Sequence, residues 1–156
     1  RGGVMSKPTL PRQVSLVDGC KKPEISAGEL TLIAELILEQ ARPQGGWRVQ
    51  IIVVPEEEII RLNRRIFQRS GSTDVISCNL TTAEEPVLEG EVYISLETAL
   101  RQAREYRVSA GEELQRLTAH GIFHLLGYED GDVRQKEIMT ALEDEAMRRL
   151  RAFGRK

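Results

Sequence analysis

Hydrophobic residues recur along this chain with two different periods. Short runs rich in β-branched residues lie at 13–18 (QVSLVD), 47–54 (WRVQIIVV), 73–80 (TDVISCNL) and 90–95 (GEVYIS), and they predict four strands. Between and after these runs, apolar residues repeat at three- and four-residue steps, which indicates helices with one buried face. The order β-α-β-α-β-β-α-α-α predicts an α/β fold, a small mixed four-stranded sheet covered by about five helices.

Capping signals refine this picture for two of the helices. Ser26 and Glu29 have the spacing of a capping box at the start of the first helix, and Ser109 and Glu112 repeat it at the start of the fourth. The fourth helix is apolar nearly all round from Leu117 to Leu126, so it is predicted to be central and buried.

Composition and charge narrow the class of protein. The chain has 156 residues, 40% of them hydrophobic and 29% charged, and a formal net charge of −2. These values predict one globular domain without an overall basic field for nucleic acid, so any RNA-binding surface must be local. No apolar run reaches the roughly 18 residues that a membrane span requires, and Cys20 and Cys78 are predicted to be separate reduced thiols of a cytoplasmic protein. Residues 1–12 are expected to be a disordered N-terminal segment or a cloning remnant, which leaves residues 13–156 as the domain.

Both histidines of the chain lie in the segment HGIFHLLGYED, residues 120–130. His120 and His124 share one face of a helix and can bind the same metal ion. Counted from His120, glycine follows at offset 7 and aspartate at offset 10, which is the spacing of the extended zinc motif HExxHxxGxxH with Asp130 at its last position. Gly127 would let the chain reverse, so that Asp130 returns to the third corner of the site.

Other residues could be the third ligand, and the two histidines could have a role other than metal binding. Glu129 and Asp132 are alternative third ligands, but their spacing from His120 matches the zinc motif less well than that of Asp130. A histidine pair alone could also be two core residues that bind no metal. Three protein ligands leave an open position for water, whose pKa falls from about 15.7 to near 7 on zinc. We therefore expect one Zn²⁺ per chain, with another divalent metal as the alternative.

Gly121 argues against peptide hydrolysis. Zinc peptidases place a glutamate directly after the first histidine, where it takes the proton from the attacking water. Gly121 has no side chain, so that mechanism is not available to this chain.

Three sequence blocks together resemble the YbeY-type metal-dependent endoribonucleases. The family's helix H-G-x-L-H-L-x-G-Y-D-H is similar to residues 120–130, its "LN…PTDVLSFP" segment is similar to Leu62-Asn63 and residues 72–79, and its "GDI.I" strand is similar to residues 90–94. The resemblance implies a cytoplasmic enzyme with one zinc ion that cuts single-stranded RNA. It also implies a role in rRNA maturation and ribosome quality control, with rRNA and the small ribosomal subunit as partners.

The chain departs from this family pattern at two positions. Asp130 replaces the third histidine, which keeps a ligand but adds negative charge. Phe67 aligns with the family's arginine, whose implied role is to hold the scissile phosphate.

A local basic cluster is the candidate RNA-binding surface. Arg64, Arg65 and Arg69 lie at the end of the second helix and in the loop before the third strand. Arginine suits phosphate through its bidentate geometry. With only 4% aromatic residues, backbone recognition with weak sequence preference is expected. A solvated helix face is the alternative interpretation of this cluster.

The general base is left open by the sequence. The metal-bound water alone, or assistance from Asp74 or Glu129, would serve, and Thr73, Asp74 and Ser77 are predicted either to line the cleft or simply to shape the strand. Two alternatives to the nuclease remain: a metallopeptidase-like hydrolase, and a non-catalytic ribosome-associated factor with a structural metal.

Overall fold

The structure is a computed structural model that describes residues 9–22, 25–82 and 86–154. Its elements follow the predicted order: β1 (Arg12–Asp18), α1 (Ala27–Ala41), β2 (Gly46–Val54), α2 (Glu56–Phe67), β3 (Val75–Asn79), β4 (Val87–Ser95), α3 (Leu96–Tyr106), α4 (Ala110–Leu125) and α5 (Val133–Phe153). The predicted α/β fold, a mixed four-stranded sheet with five helices, is confirmed.

The four strands form a single sheet in the order β1-β2-β4-β3. β1, β2 and β4 run parallel, and β3 pairs antiparallel with β4 at one edge. Parallel neighbours need crossover connections, and α1 supplies the crossover from β1 to β2. The antiparallel edge strand β3 comes directly before β4, so a short connection is enough to pair them.

Helices cover both faces of the sheet, but unequally. The larger core lies between one face and α1, α3, α4 and α5, and its fully buried side chains include Ile33, Ile51, Val92 and Ile122. A smaller core lies under α2 on the opposite face. Helix α4 packs against α1, α3 and α5 and against strands β3 and β4, which makes it the central helix, as predicted.

Several predicted boundaries and caps differ from the observed ones. β1 starts at Arg12, one residue before the predicted domain boundary, whereas residues 1–8 of the predicted N-terminal segment lie outside the described residues. The predicted capping box at α1 is wrong: the Ser26 side chain makes no cap hydrogen bond, and the Glu29 carboxylate instead accepts one from Gln115 over 2.8 Å. At α4 the Ser109 hydroxyl does accept a hydrogen bond from the Glu112 amide over 3.0 Å.

β4 is longer than the sequence pattern predicted, and β3 is shorter. β4 begins at Val87, not at Gly90, because the parallel pairing with β2 continues back to Gly46. β3 covers only residues 75–79 of the predicted run 73–80. Among the helices of the described part of the chain, none is long and apolar enough to cross a membrane. Both cysteines, Cys20 and Cys78, are free thiols, as predicted.

Candidate metal centre

The two histidines lie on a partly exposed face of α4. Ala119 and Ile122 are fully buried, whereas His120 and His124 are only partly covered, with 18% and 27% of their side chains exposed. Residues four apart on a helix lie above one another. The rings accordingly meet edge to face, with their centroids 4.6 Å apart and their Nε2 atoms separated by 3.0 Å.

A glycine turn ends α4 and brings the following residues back towards the histidines. Gly127 has a φ of +102°, a conformation that residues with a Cβ adopt rarely. Its amide donates to the carbonyl of His124, and the amide of Tyr128 donates to that of Phe123, each over 3.0 Å. This is the Schellman arrangement, and the rings of Phe123 and Tyr128 pack together beneath it. The turn therefore directs the chain towards residue 130, as the spacing of the motif predicted.

Asp130 completes a compact group of ligand atoms. Its Oδ2 lies 3.1 Å from Nε2 of His120, and its Oδ1 lies 3.7 Å from Nε2 of His124. The ligand atoms of His120, His124 and Asp130 all lie within 4.8 Å of one another, so the three side chains could bind one ion. No other such group of histidine, cysteine or acidic side chains is found among the described residues. Two imidazole nitrogens and a carboxylate oxygen that converge on one point are a donor set suited to zinc. The residues present therefore fit a single divalent ion.

A buried carboxylate stands behind the first histidine. Oε2 of Glu143, on α5, lies 2.6 Å from Nδ1 of His120. Burial lowers the pKa of His120, but its hydrogen bond with Glu143 and the charges of Glu143 and Asp130 outweigh burial and raise that pKa above 6.5. Without a metal, His120 therefore retains a proton more readily than a free imidazole does.

Comparisons with known proteins show the family of this chain. The family model described as Endoribonuclease YbeY matches residues 19–151. The chain belongs to the YbeY endoribonuclease family. An endoribonuclease YbeY from Syntrophotalea carbinolica is 35% identical over 137 residues, which cover 84% of this chain and 91% of that protein. One from Bacteroides fragilis is 31% identical over 130 residues, covering 83% and 91% of the two chains. The fold is similar to the solution structure of TM1509 from Thermotoga maritima, with a TM-score of 0.61, 24% identity and 92% coverage of both chains.

Gly121 faces the sheet in this YbeY-family chain, not the metal centre. A Cβ built on Gly121 would lie 2.3 Å from Cγ1 of Val92 and 3.2 Å from both Ser77 and Val75. The carbonyl of Gly121 also accepts a hydrogen bond from the Ser77 hydroxyl over 2.9 Å. The position that holds the glutamate in zinc peptidases is thus closed to any side chain here, which is a stronger objection to peptidase chemistry than the missing carboxylate alone.

The three residues predicted to line the cleft have different surroundings. Asp74 immediately precedes β3. Its Oδ2 accepts a hydrogen bond from Gln102 over 3.3 Å, and its charge raises the pKa of His120. Thr73 contacts Asp74 over 3.5 Å. Ser77 is occupied by its bond to α4 and serves to attach that helix to the sheet. Of the three, Asp74 has the clearest electrostatic connection to the histidines.

The predicted RNA-binding arginines lie at the end of α2 and in the loop after it, on the smaller-core side of the sheet. Arg64, Arg65 and Arg69 are all exposed, and within the described part of the chain none forms an ion pair. Arg61, by contrast, pairs with Glu58 over 2.5 Å. Phe67, which aligns with the arginine of the YbeY pattern, is the last residue of α2 and is 45% exposed.

The sequence interpretation missed Glu143 and its partner Arg116. The buried residues of α5 recur at helical spacing, namely Met139, Glu143, Ala146, Met147 and Leu150. A charged glutamate buried in such an apolar stripe destabilises the fold unless it has a charged or hydrogen-bonding partner. The position of Glu143 was therefore a signal that a buried partner exists. The identity of that partner could not be obtained from spacing along the chain, because His120 and Glu143 lie on different helices.

Proposed function

We propose that this protein is a metal-dependent endoribonuclease that cuts single-stranded RNA. The observation that carries the proposal is the convergence of His120, His124 and Asp130 at the partly exposed end of a buried helix, in a chain of the YbeY endoribonuclease family. We further propose that the enzyme is cytoplasmic and acts on rRNA at the small ribosomal subunit, in rRNA maturation and ribosome quality control.

The metal ligands in this proposal are Nε2 of each histidine and the carboxylate of Asp130. One Zn²⁺ per chain suits two imidazoles and one carboxylate, with another divalent ion as the alternative. When bound, such an ion supplies a Lewis acid for the phosphodiester and lowers the pKa of water. Asp74 and Glu129 are the two side chains proposed to assist proton transfer beside it.

The proposed RNA path uses the arginines that have no ion-pair partner in the described residues. Arg64, Arg65 and Arg69 can bind phosphates and neutralise charge along a single strand. Phe67 takes the place of the family arginine, so we propose that one of these three neighbours provides the cation that Phe67 cannot.

Parallel cleavage assays test this function. The purified chain should cut an unstructured RNA and leave casein intact, and both a chelator and the His124→Ala substitution should abolish the RNA cleavage. Elemental analysis of the same sample should give about one zinc per chain. Cleavage of RNA that survives both the chelator and His124→Ala would contradict the proposal, whereas bound zinc without cleavage of either polymer would favour a non-catalytic ribosome-associated factor.

A further inference from the structure

We propose that Glu143 is a positioning residue that holds the ring of His120 with Nε2 directed at the metal, and that Arg116 holds Glu143 in turn. This inference rests on the proposed metal site but not on the RNA cleavage assigned to it. It adds a second helix, α5, to a site whose ligands all come from residues 120–130.

Both oxygens of the Glu143 carboxylate are occupied. Oε2 lies 2.6 Å from Nδ1 of His120, and Oε1 accepts a hydrogen bond from Nη1 of Arg116 over 3.2 Å. The other arm of the guanidinium, Nη2, donates to Asp144 over 2.7 Å. Only 7% of Glu143 is exposed, so this carboxylate is fixed by α4 on both sides and has little freedom to rotate.

The contact with Glu143 determines which ring nitrogen of His120 can bind a metal ion. A carboxylate accepts hydrogen bonds, so the contact with Glu143 keeps a proton on Nδ1 of the neutral imidazole. Its lone pair is then on Nε2, the atom that faces His124 and Asp130. A carboxylate behind a metal-binding histidine commonly sets both the tautomer and the orientation of the ring.

The two histidines differ in this respect. Among the described residues, no side chain hydrogen-bonds Nδ1 of His124, and its polar contacts are those of Nε2 with His120 and Asp130. His120 is thus the ligand whose direction is built into the fold. Loss of an orienting partner of this kind typically lowers metal affinity by about 10- to 100-fold.

The apolar neighbours of Glu143 allow a substitution that distinguishes a role in positioning His120 from a role in folding. Met139 and Met147 flank it in the buried stripe of α5. Glu143→Met keeps the approximate volume and the apolar surroundings but removes the acceptor. Arg116, whose side chain is partly exposed, keeps its ion pair with Asp144 in this variant. Glu143→Gln keeps an acceptor for the Nδ1 proton. Asp144→Asn is the matched control, because Asp144 contacts the same Arg116 but not His120.

The experiment measures zinc affinity by chelator competition on the full chain, together with thermal unfolding of the metal-free protein. Glu143→Met should bind zinc about 10- to 100-fold more weakly while its metal-free form still unfolds in a single cooperative transition. Glu143→Gln should recover most of the affinity, and Asp144→Asn should bind like the parent. In parallel, ¹⁵N NMR of the metal-free protein at high pH should show His120 of the parent protonated on Nδ1, and Glu143→Met should lose that preference.

Two results would overturn the inference: undiminished zinc affinity in Glu143→Met, or an Nε2-protonated His120 in the parent. A parent chain that refuses zinc would overturn both this inference and the proposed function. If zinc affinity follows the expected order but no RNA is cut, the proposed function fails and the positioning role stands.

Discussion

The hydroxyl of Ser77 on β3 donates a 2.9 Å hydrogen bond to the carbonyl of Gly121 on α4, and a Cβ on that glycine would overlap Val92. The backbone of α4 approaches the sheet here because residue 121 has no side chain to keep them apart. The glycine after the first histidine is therefore a packing requirement, and the close approach of Gly121 to the sheet fixes the position of the helix that carries both histidines.

Enlarging Gly121 should therefore destabilise the fold. Gly121→Ala should lower the free energy of unfolding by about 1–3 kcal/mol, because Val92 is buried and β-branched and cannot move aside easily. Gly111, in the first turn of the same helix, is the control: its added Cβ would have Ser109 Oγ at 3.9 Å as its nearest neighbour. Gly111→Ala should be neutral or stabilising by up to about 1 kcal/mol. Urea unfolding measures the stability of both variants, and equal free energies of unfolding would contradict the packing role of Gly121.

The third corner of the metal site can be tested by a series at one position. Asp130→Ala should lose most of its zinc affinity, since two protein ligands would remain. Asp130→His should keep the metal, because an imidazole at this register is the arrangement of the family pattern, and Asp130→Asn should fall between the two. Glu129→Ala is the control and should bind like the parent. If chelator competition shows that Glu129→Ala loses zinc and Asp130→Ala does not, the third ligand is Glu129 and not Asp130.

RNA binding should depend on the exposed arginines through salt. Replacing Arg64, Arg65 and Arg69 together by alanine should flatten the slope of log affinity against log salt by up to about 0.7 for each phosphate of a single strand that is no longer neutralised. Measuring fluorescence anisotropy with a labelled RNA and a metal-free protein keeps cleavage out of the assay. The control replaces two exposed cations of α5, Arg134 and Lys136, by alanine, and its slope should equal that of the parent. An unchanged slope in the triple variant would place the RNA elsewhere.

Stability should decrease as pH rises through the range in which one buried acid titrates. Burial raises the pKa of Glu113 from 4.5 to about 7, nearby Asp74 adds to this rise, and Arg116 opposes it. Below pH 4.5 both the folded and the unfolded chain carry the proton, so there is no penalty. As pH rises from 4.5 to 7, the unfolded chain releases it first, and the folded state loses up to about 3 kcal/mol.

The Glu113→Gln variant isolates this effect. Its stability relative to the parent should increase as pH rises from 4.5 to 7 and remain constant above that range. Glu112→Gln, at an exposed neighbouring position, is the control for the loss of a carboxylate from the same turn of the helix. Denaturant unfolding of the metal-free proteins at a series of pH values would show it, and a pH-independent difference for Glu113→Gln would refute the assignment.

Much of this fold was accessible from sequence because its signals are local. The period of apolar residues identified all four strands and all five helices, and the glycine turn at Gly127 followed from the spacing of the motif. The failures were non-local. Glu29 was assigned to a cap, but a partner from α4, Gln115, holds its carboxylate. Glu143 was overlooked because its two partners lie on another helix, and tertiary contacts of this kind leave only an indirect trace in the sequence, here an acid in an apolar stripe.

The exposure of the three proposed ligands increases in chain order, from 18% for His120 to 27% for His124 and 40% for Asp130. His120 is surrounded by packed groups from two helices, so a change there disturbs the interior. Asp130 lies beyond the glycine turn and is the most exposed of the three, so a change in the size and charge of its side chain disturbs fewer packed groups. Evolution can therefore adjust the electrostatics of such a site at its outer corner while the inner corner stays fixed. A histidine-to-aspartate exchange at position 130 is the change that this asymmetry permits at the lowest structural cost.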